Sequence, residues 1–84
     1  MMTQVDRTER GVVERLFFTK GYGFIRDATG ELRFFHARWL SDGTVFETLT
    51  VGREVEYRPV DLPPGSPHNG RRAHDVRGIL KENL

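Results

Sequence analysis

The chain contains no cysteine. Disulfides, thiolate metal ligands and cysteine nucleophiles are therefore excluded. Lysine is nearly absent: eleven of the 13 basic residues are Arg, and only Lys20 and Lys81 are Lys. No apolar run approaches the ~20 residues that a membrane-crossing helix needs. The first residues, Met1–Asp6, lack the positive start and apolar stretch of a signal peptide. A soluble, cytoplasmic protein with no membrane partner is expected. An excess of one charge is missing too. The 13 Lys and Arg face 12 Asp and Glu, for a formal net charge of +1, so net charge alone names no nucleic-acid partner. The Arg bias has two readings. A guanidinium pairs with phosphate and stacks on bases, and a GC-rich genome favours Arg codons.

What is present is aromatic. Six Phe, two Tyr and one Trp in 84 residues argue for a packed core over disorder, and the length suits one domain. We read residues 1–8 as a flexible N-terminal tail, 9–80 as the domain and 81–84 as a C-terminal tail. Gly11–Phe18 is β-branched and aromatic, as strands prefer. Tyr22–Arg26 and Leu32–His36 follow after short turns, which predicts a three-stranded meander. Arg38–Leu40 reads as one helical turn. Arg53–Val60 alternates polar and apolar with period two, and Arg72–Leu80 is the last strand. The stretch from Asp61 to Gly70 holds three of the four prolines and is expected to be mobile. Five short strands without a long helical pattern predict an all-β, five-stranded antiparallel barrel, closed so that no edge is left exposed.

Strand side chains alternate between faces. Tyr22 and Phe24 share one face, with Ile25 on the other. Phe34 and His36 share one face, with Phe35 on the other. Ile25 and Phe35 are good core residues, which puts Tyr22, Phe24, Phe34 and His36 outside on neighbouring strands. Gly23 falls on the inward face, where a tightly coiled strand needs a bend or a close approach. The opposite phasing makes Phe24 and Phe34 ordinary core residues but buries a phenol and an imidazole. Aromatic faces stack on unpaired bases, at about 1–3 kcal/mol per base. Lys20 lies in the turn before Tyr22, with Arg15, Arg26, Arg71 and Arg72 as further phosphate contacts.

Lys20-Gly21-Tyr22-Gly23-Phe24-Ile25 resembles the first ribonucleoprotein motif of cold-shock domains. Phe34-Phe35-His36 resembles the second. Phe46-Glu47-Thr48-Leu49, Val51-Gly52-Arg53-Glu54-Val55 and the set Gly70, Ala73, Asp75 and Val76 are similar to later family segments in the same order. The resemblance implies a bacterial cold-shock-protein-like OB-fold that binds single-stranded RNA or DNA and catalyses nothing. By match, the binding positions are Lys20, Tyr22, Phe24, Phe34, His36 and Phe46, to which we add Arg15 and Arg72. The family's Lys-Trp-Phe run is replaced by Glu14, Arg15 and Leu16, which removes a Trp platform and predicts weaker affinity or a different preferred strand. Arg33 stands where an apolar inward residue is usual, which puts it at the barrel mouth or implies a slipped register. Trp39 is expected to pack over the barrel end, with a relocated stacking platform as the alternative.

His36, His68 and His74 match no metal-ligand spacing, and adjacent His74 and Asp75 point to opposite faces and make a poor acid–base pair. We therefore expect no enzyme, no metal, no cofactor and no small-molecule substrate. The expected partner is single-stranded RNA or DNA, bound by a monomer or weak homodimer acting as an RNA chaperone or regulator of gene expression. The competing reading is a protein-interaction barrel that uses the same aromatics to dimerise or dock.

Overall fold

A computed structural model describes residues 7–41 and 43–79. Five strands carry the chain: β1 (Glu9–Phe17), β2 (Tyr22–Asp27), β3 (Leu32–His36), β4 (Glu54–Asp61) and β5 (Arg71–Gly78). Each follows a β-branched, aromatic or alternating stretch of sequence, and all but β3 end at or shortly before a Gly or Pro. Single helical turns at Ala37–Trp39 and Phe46–Thr48 lie in the β3–β4 connection. The expected tails and the end of the last strand at Leu80 lie outside the described residues, except Arg7 and Thr8. Thr8 is tied down, its hydroxyl donating to Glu56 at 3.0 Å.

The strands close into a barrel in the order β1-β2-β3-β5-β4. Four seams are antiparallel, but β3 and β5 run parallel through the Phe34–Arg72 pair. The expected five-stranded barrel is thus antiparallel at every seam but this one. An odd number of strands cannot alternate direction all the way round a closed ring, so one seam has to be parallel. The architecture is all-β, consistent with an OB-fold, and no α-helix occurs among the described residues. None of these elements is a helix long and apolar enough to cross a membrane.

The phasing of β2 and β3 is the one anticipated. Ile25 and Phe35 are 0 % exposed and sit in a core with Val13, Val55, Tyr57, Ala73 and Val76, joined by Phe46 and Leu49 from the β3–β4 connection. Burying each large apolar side chain contributes about 1.5–3 kcal/mol. Gly23 makes this packing possible. A Cβ there would sit 2.5 Å from the Arg15 carbonyl oxygen and 2.9 Å from the Phe35 ring, so any side chain drives β1 and β2 apart.

Arg33 also points inward, 5 % exposed, and the register does not slip: Ile25 faces Arg33 and Phe24 faces Phe34. Its guanidinium donates to Asp27 at 3.3 Å, to Asp61 at 2.9 Å and to the Arg72 carbonyl at 3.1 Å. Asp27 additionally accepts from the Thr29 hydroxyl at 2.6 Å and from the backbone N–H groups of Thr29 and Glu31. Burial alone pushes the Asp27 carboxyl up, but these hydrogen bonds and the Arg33 charge outweigh it and hold it below the ordinary carboxylate range. Nearby, Tyr57 is fully enclosed, and burial pushes its hydroxyl up to about 12. A buried charge is tolerated here because it is paired several times over.

Candidate nucleic-acid interface

The outer face of β1, β2 and β3 carries the anticipated rings. Tyr22 lies opposite His36, and Phe24 opposite Phe34. Ring centroids are 5.3 Å apart for Tyr22 and Phe34, 5.7 Å for Phe24 and Phe34, and 6.1 Å for Tyr22 and Phe24. These are tilted or edge-on contacts, the arrangements aromatic quadrupoles favour. The four rings are half-buried, each shielding part of its neighbour from water. His36 is oriented by its own backbone, its Nδ1 accepting from the Arg38 N–H at 3.0 Å. In the neutral ring this puts the proton on Nε2 and leaves that nitrogen as a donor.

Phe17, not singled out in the sequence, belongs to the same face. Its centroid is 5.0 Å from Tyr22 and 6.4 Å from Phe24. A β-bulge puts it there. Val13 pairs with Ile25 and Arg15 with Phe24, leaving Glu14 as the extra residue. The bulge shifts the alternation by one, so Arg15 and Phe17 turn outward and Leu16 packs against the core. The clue in the sequence is that Val13, Leu16, Phe17 and Phe18 fit no single period-two pattern. Phe17 thus supplies an outer ring on the strand that lacks the Trp.

Trp39 also joins this surface. It meets Phe34 edge-on at 5.7 Å and His36 at 5.9 Å, and it stacks on His74 at 4.3 Å with 16° between planes. The Arg72 guanidinium lies 5.7 Å from its ring centre. Trp39 is half-buried against the core as well, so it packs at the barrel surface and extends the aromatic face at once. Arg72 Nε and His74 Nε2 are buried without a hydrogen-bond partner. Burial first, and then the charges of Arg58 and Arg72 against the opposing pull of Asp75, holds the His74 imidazole below its ordinary 6.5.

Phe46 corrects one expectation. It is 5 % exposed, a core residue whose ring lies 6.0 Å from Phe35 and 5.5 Å from Phe18. The Phe46–Thr48 turn points it inward, and it reaches the surface only through Phe18, which is exposed.

The cations are unevenly partnered. Lys20 is exposed in the β1–β2 turn, Arg15 is exposed opposite Phe24, and Arg72 pairs across from Phe34. Among the described residues none of these three forms an ion pair, whereas Arg26 pairs with Glu14 at 3.1 Å, Arg58 with Asp75 at 2.9 Å and Arg77 with Glu56 at 2.6 Å. A side-chain hydrogen bond from Arg26, reinforced by its charge, holds the Glu14 carboxyl below its ordinary value. Glu14, expected to repel phosphate, is therefore locally neutralised.

The proline loop between β4 and β5 was expected to be loose. It is clasped by the Leu62 N–H donating to the Gly70 carbonyl at 2.8 Å and by Ser66 Oγ donating to the Pro63 carbonyl at 2.7 Å. Gly70 has φ +71° and lies so close to Leu62 that a Cβ would meet its carbonyl oxygen at 2.5 Å. The loop carries His68 onto the aromatic face.

A comparison with curated proteins found no match. The model of the 'Cold-shock' DNA-binding domain family matches residues 9–79, a span that contains all five strands and every ring described above. With the closed barrel and its outer aromatic face, that match places the chain: it belongs to the cold-shock family of nucleic-acid-binding domains.

Proposed function

We propose that this protein binds single-stranded RNA or DNA by stacking unpaired bases on Phe17, Tyr22, Phe24 and Phe34. His36 offers a hydrogen bond to a base edge, and Lys20, Arg15 and Arg72 hold the backbone. The observation that carries this reading is the continuous sheet of rings outside the barrel, bordered by three cations that form no ion pair among the described residues. Phe46 is not among the contacts. Stacking competes with base pairing, so the mechanism is passive: bound strands stay unpaired, as an RNA chaperone or regulator in a bacterial cytoplasm requires. The reading assigns no catalytic step, cofactor or small-molecule substrate.

The test is a titration of an oligothymidine and an oligouridine, each of about seven nucleotides, a length within the usual range for one OB barrel. The wild-type protein is compared with Phe24→Ala/Phe34→Ala. Each ring is worth about 1–3 kcal/mol, so the double variant should bind at least about tenfold more weakly while keeping its fold. Binding should weaken as salt rises, because counterions are released, and duplex should bind more poorly than single strands. Unchanged affinity in the double variant, or sedimentation as a tight dimer that ignores oligonucleotide, overturns the reading.

A further inference from the structure

Two rings on the outer face come from no strand: Trp39, from the turn after β3, and His68. His68, in the β4–β5 loop, lies flat on Phe34 with centroids 4.3 Å apart and 7° between planes, and it meets Phe24 edge-on at 5.4 Å. Every ring pair among Phe17, Tyr22, Phe24 and Phe34 is tilted or edge-on. His68 alone sits on Phe34 in parallel, as a base stacked on that ring sits.

The contact is also easily broken. Among the described residues the imidazole makes no hydrogen bond, and His68 is exposed. Leaving Phe34 therefore strands no buried polar group. His68 and Asn69 hold φ of +59° and +57°, a left-handed backbone that non-glycine residues adopt at a cost, His and Asn more readily than most. An open groove of about 360 Å³, lined partly by Phe24, Leu32 and Asn69, flanks the ring and gives it room to move. The Leu62–Gly70 hydrogen bond closes the base of the loop and the Arg71 N–H donates to the His68 carbonyl, so the exposed ring can leave Phe34 by side-chain rotation while the backbone and the β4–β5 pairing stay in place.

Building on the proposed function, we propose that His68 is an internal competitor for nucleic acid. It occupies a base position on Phe34 in the free protein and gives it up to an incoming base. The free protein thus keeps Phe34 covered, at the expense of affinity.

The experiment uses the full chain and a seven-nucleotide oligothymidine. His68→Asn keeps a residue suited to left-handed backbone and removes the ring, and His68→Trp replaces it with a larger one. His68→Asn should bind about two- to tenfold more tightly, the range expected for one aromatic pair, and His68→Trp should bind more weakly than wild type. In proton NMR spectra of the free protein, the His68 ring protons should be shifted upfield by Phe34. Saturating oligonucleotide, or Phe34→Ala, should remove that shift. Weaker binding by His68→Asn overturns the proposal, because the ring is then part of the bound site. So does an upfield shift that survives saturation. If Phe24→Ala/Phe34→Ala binds as well as wild type, the functional reading itself fails, whatever His68 does. If oligothymidine binds none of the variants, both readings fail.

Discussion

The barrel has two outer surfaces built by the same alternation, and they treat charge differently. On the β4–β5 flank, Glu56 accepts from both Arg77 and Thr8, and Arg58 pairs with Asp75. Arg58 and Arg77 there already have partners within the chain. On the β1–β2–β3 surface the rings shield one another; Arg26 pairs with Glu14, but Lys20, Arg15 and, reaching over from β5, Arg72 have no ion pair among the described residues. A surface that satisfies itself has little left to offer a polyanion. One that leaves rings half-buried and cations unpaired does. The contrast locates the interface more sharply than the net charge of +1, which averages the two.

The most drastic way to break the contrast is to remove the scaffold both surfaces share. Arg33→Ala leaves Asp27 buried without its counter-charge and should cost about 3–5 kcal/mol of stability, read as a large drop in melting temperature or in urea midpoint. Acid should act on the same cluster. A carboxyl held low in the folded state stabilises the fold above its unfolded value, and that contribution is lost as pH falls through the folded value. The acid limb of unfolding should therefore begin below about pH 4, and Asp27→Asn should flatten it.

The next effect is confined to one surface. Phe17→Ala should weaken oligothymidine binding by about 1–3 kcal/mol, whereas Arg77→Ala on the opposite flank should leave affinity unchanged in the same titration. Equal losses from both variants would erase the distinction. Smaller again is the contribution of one cation: Lys20→Ala should lower the slope of log affinity against log salt by about 0.7, the single-strand value for one phosphate contact. The smallest signal is optical. His74 favours its neutral form in the folded protein, so its contribution to stability is complete above pH 6.5 and is lost as pH falls below that value. Protonation next to Trp39 should quench indole fluorescence with a midpoint below 6.5. His74→Gln should abolish that step.

Much of this was legible in the sequence. Glycine-flanked Tyr22 and the run Phe34-Phe35-His36 set the phase of two strands, because only one phasing buries Ile25 and Phe35 without also burying a phenol and an imidazole. What escaped had specific causes. Phe17 was missed because strict alternation was assumed through β1, and the bulge at Glu14 breaks it. Family match makes Phe46 a binding position, and its place in a connection gives no phase information to test that. The parallel seam follows from counting strands in a closed ring. His68 was dismissed as a possible metal ligand. Its true neighbour is Phe34, which is 34 residues away and is reached only because the loop closes between Leu62 and Gly70.

The bulge at Glu14 works like a frameshift written into the backbone. Upstream of it, β1 sends Val13 to the interior, and downstream it sends Leu16 there, an interval that no straight strand permits. Were Glu14 to take a regular place in the ladder, strict alternation would turn the rest of the strand over. Leu16 would then go to solvent, and Arg15 and Phe17 would be forced into the apolar centre. One residue without a partner across β2 thus decides which of the two surfaces the distal half of β1 serves.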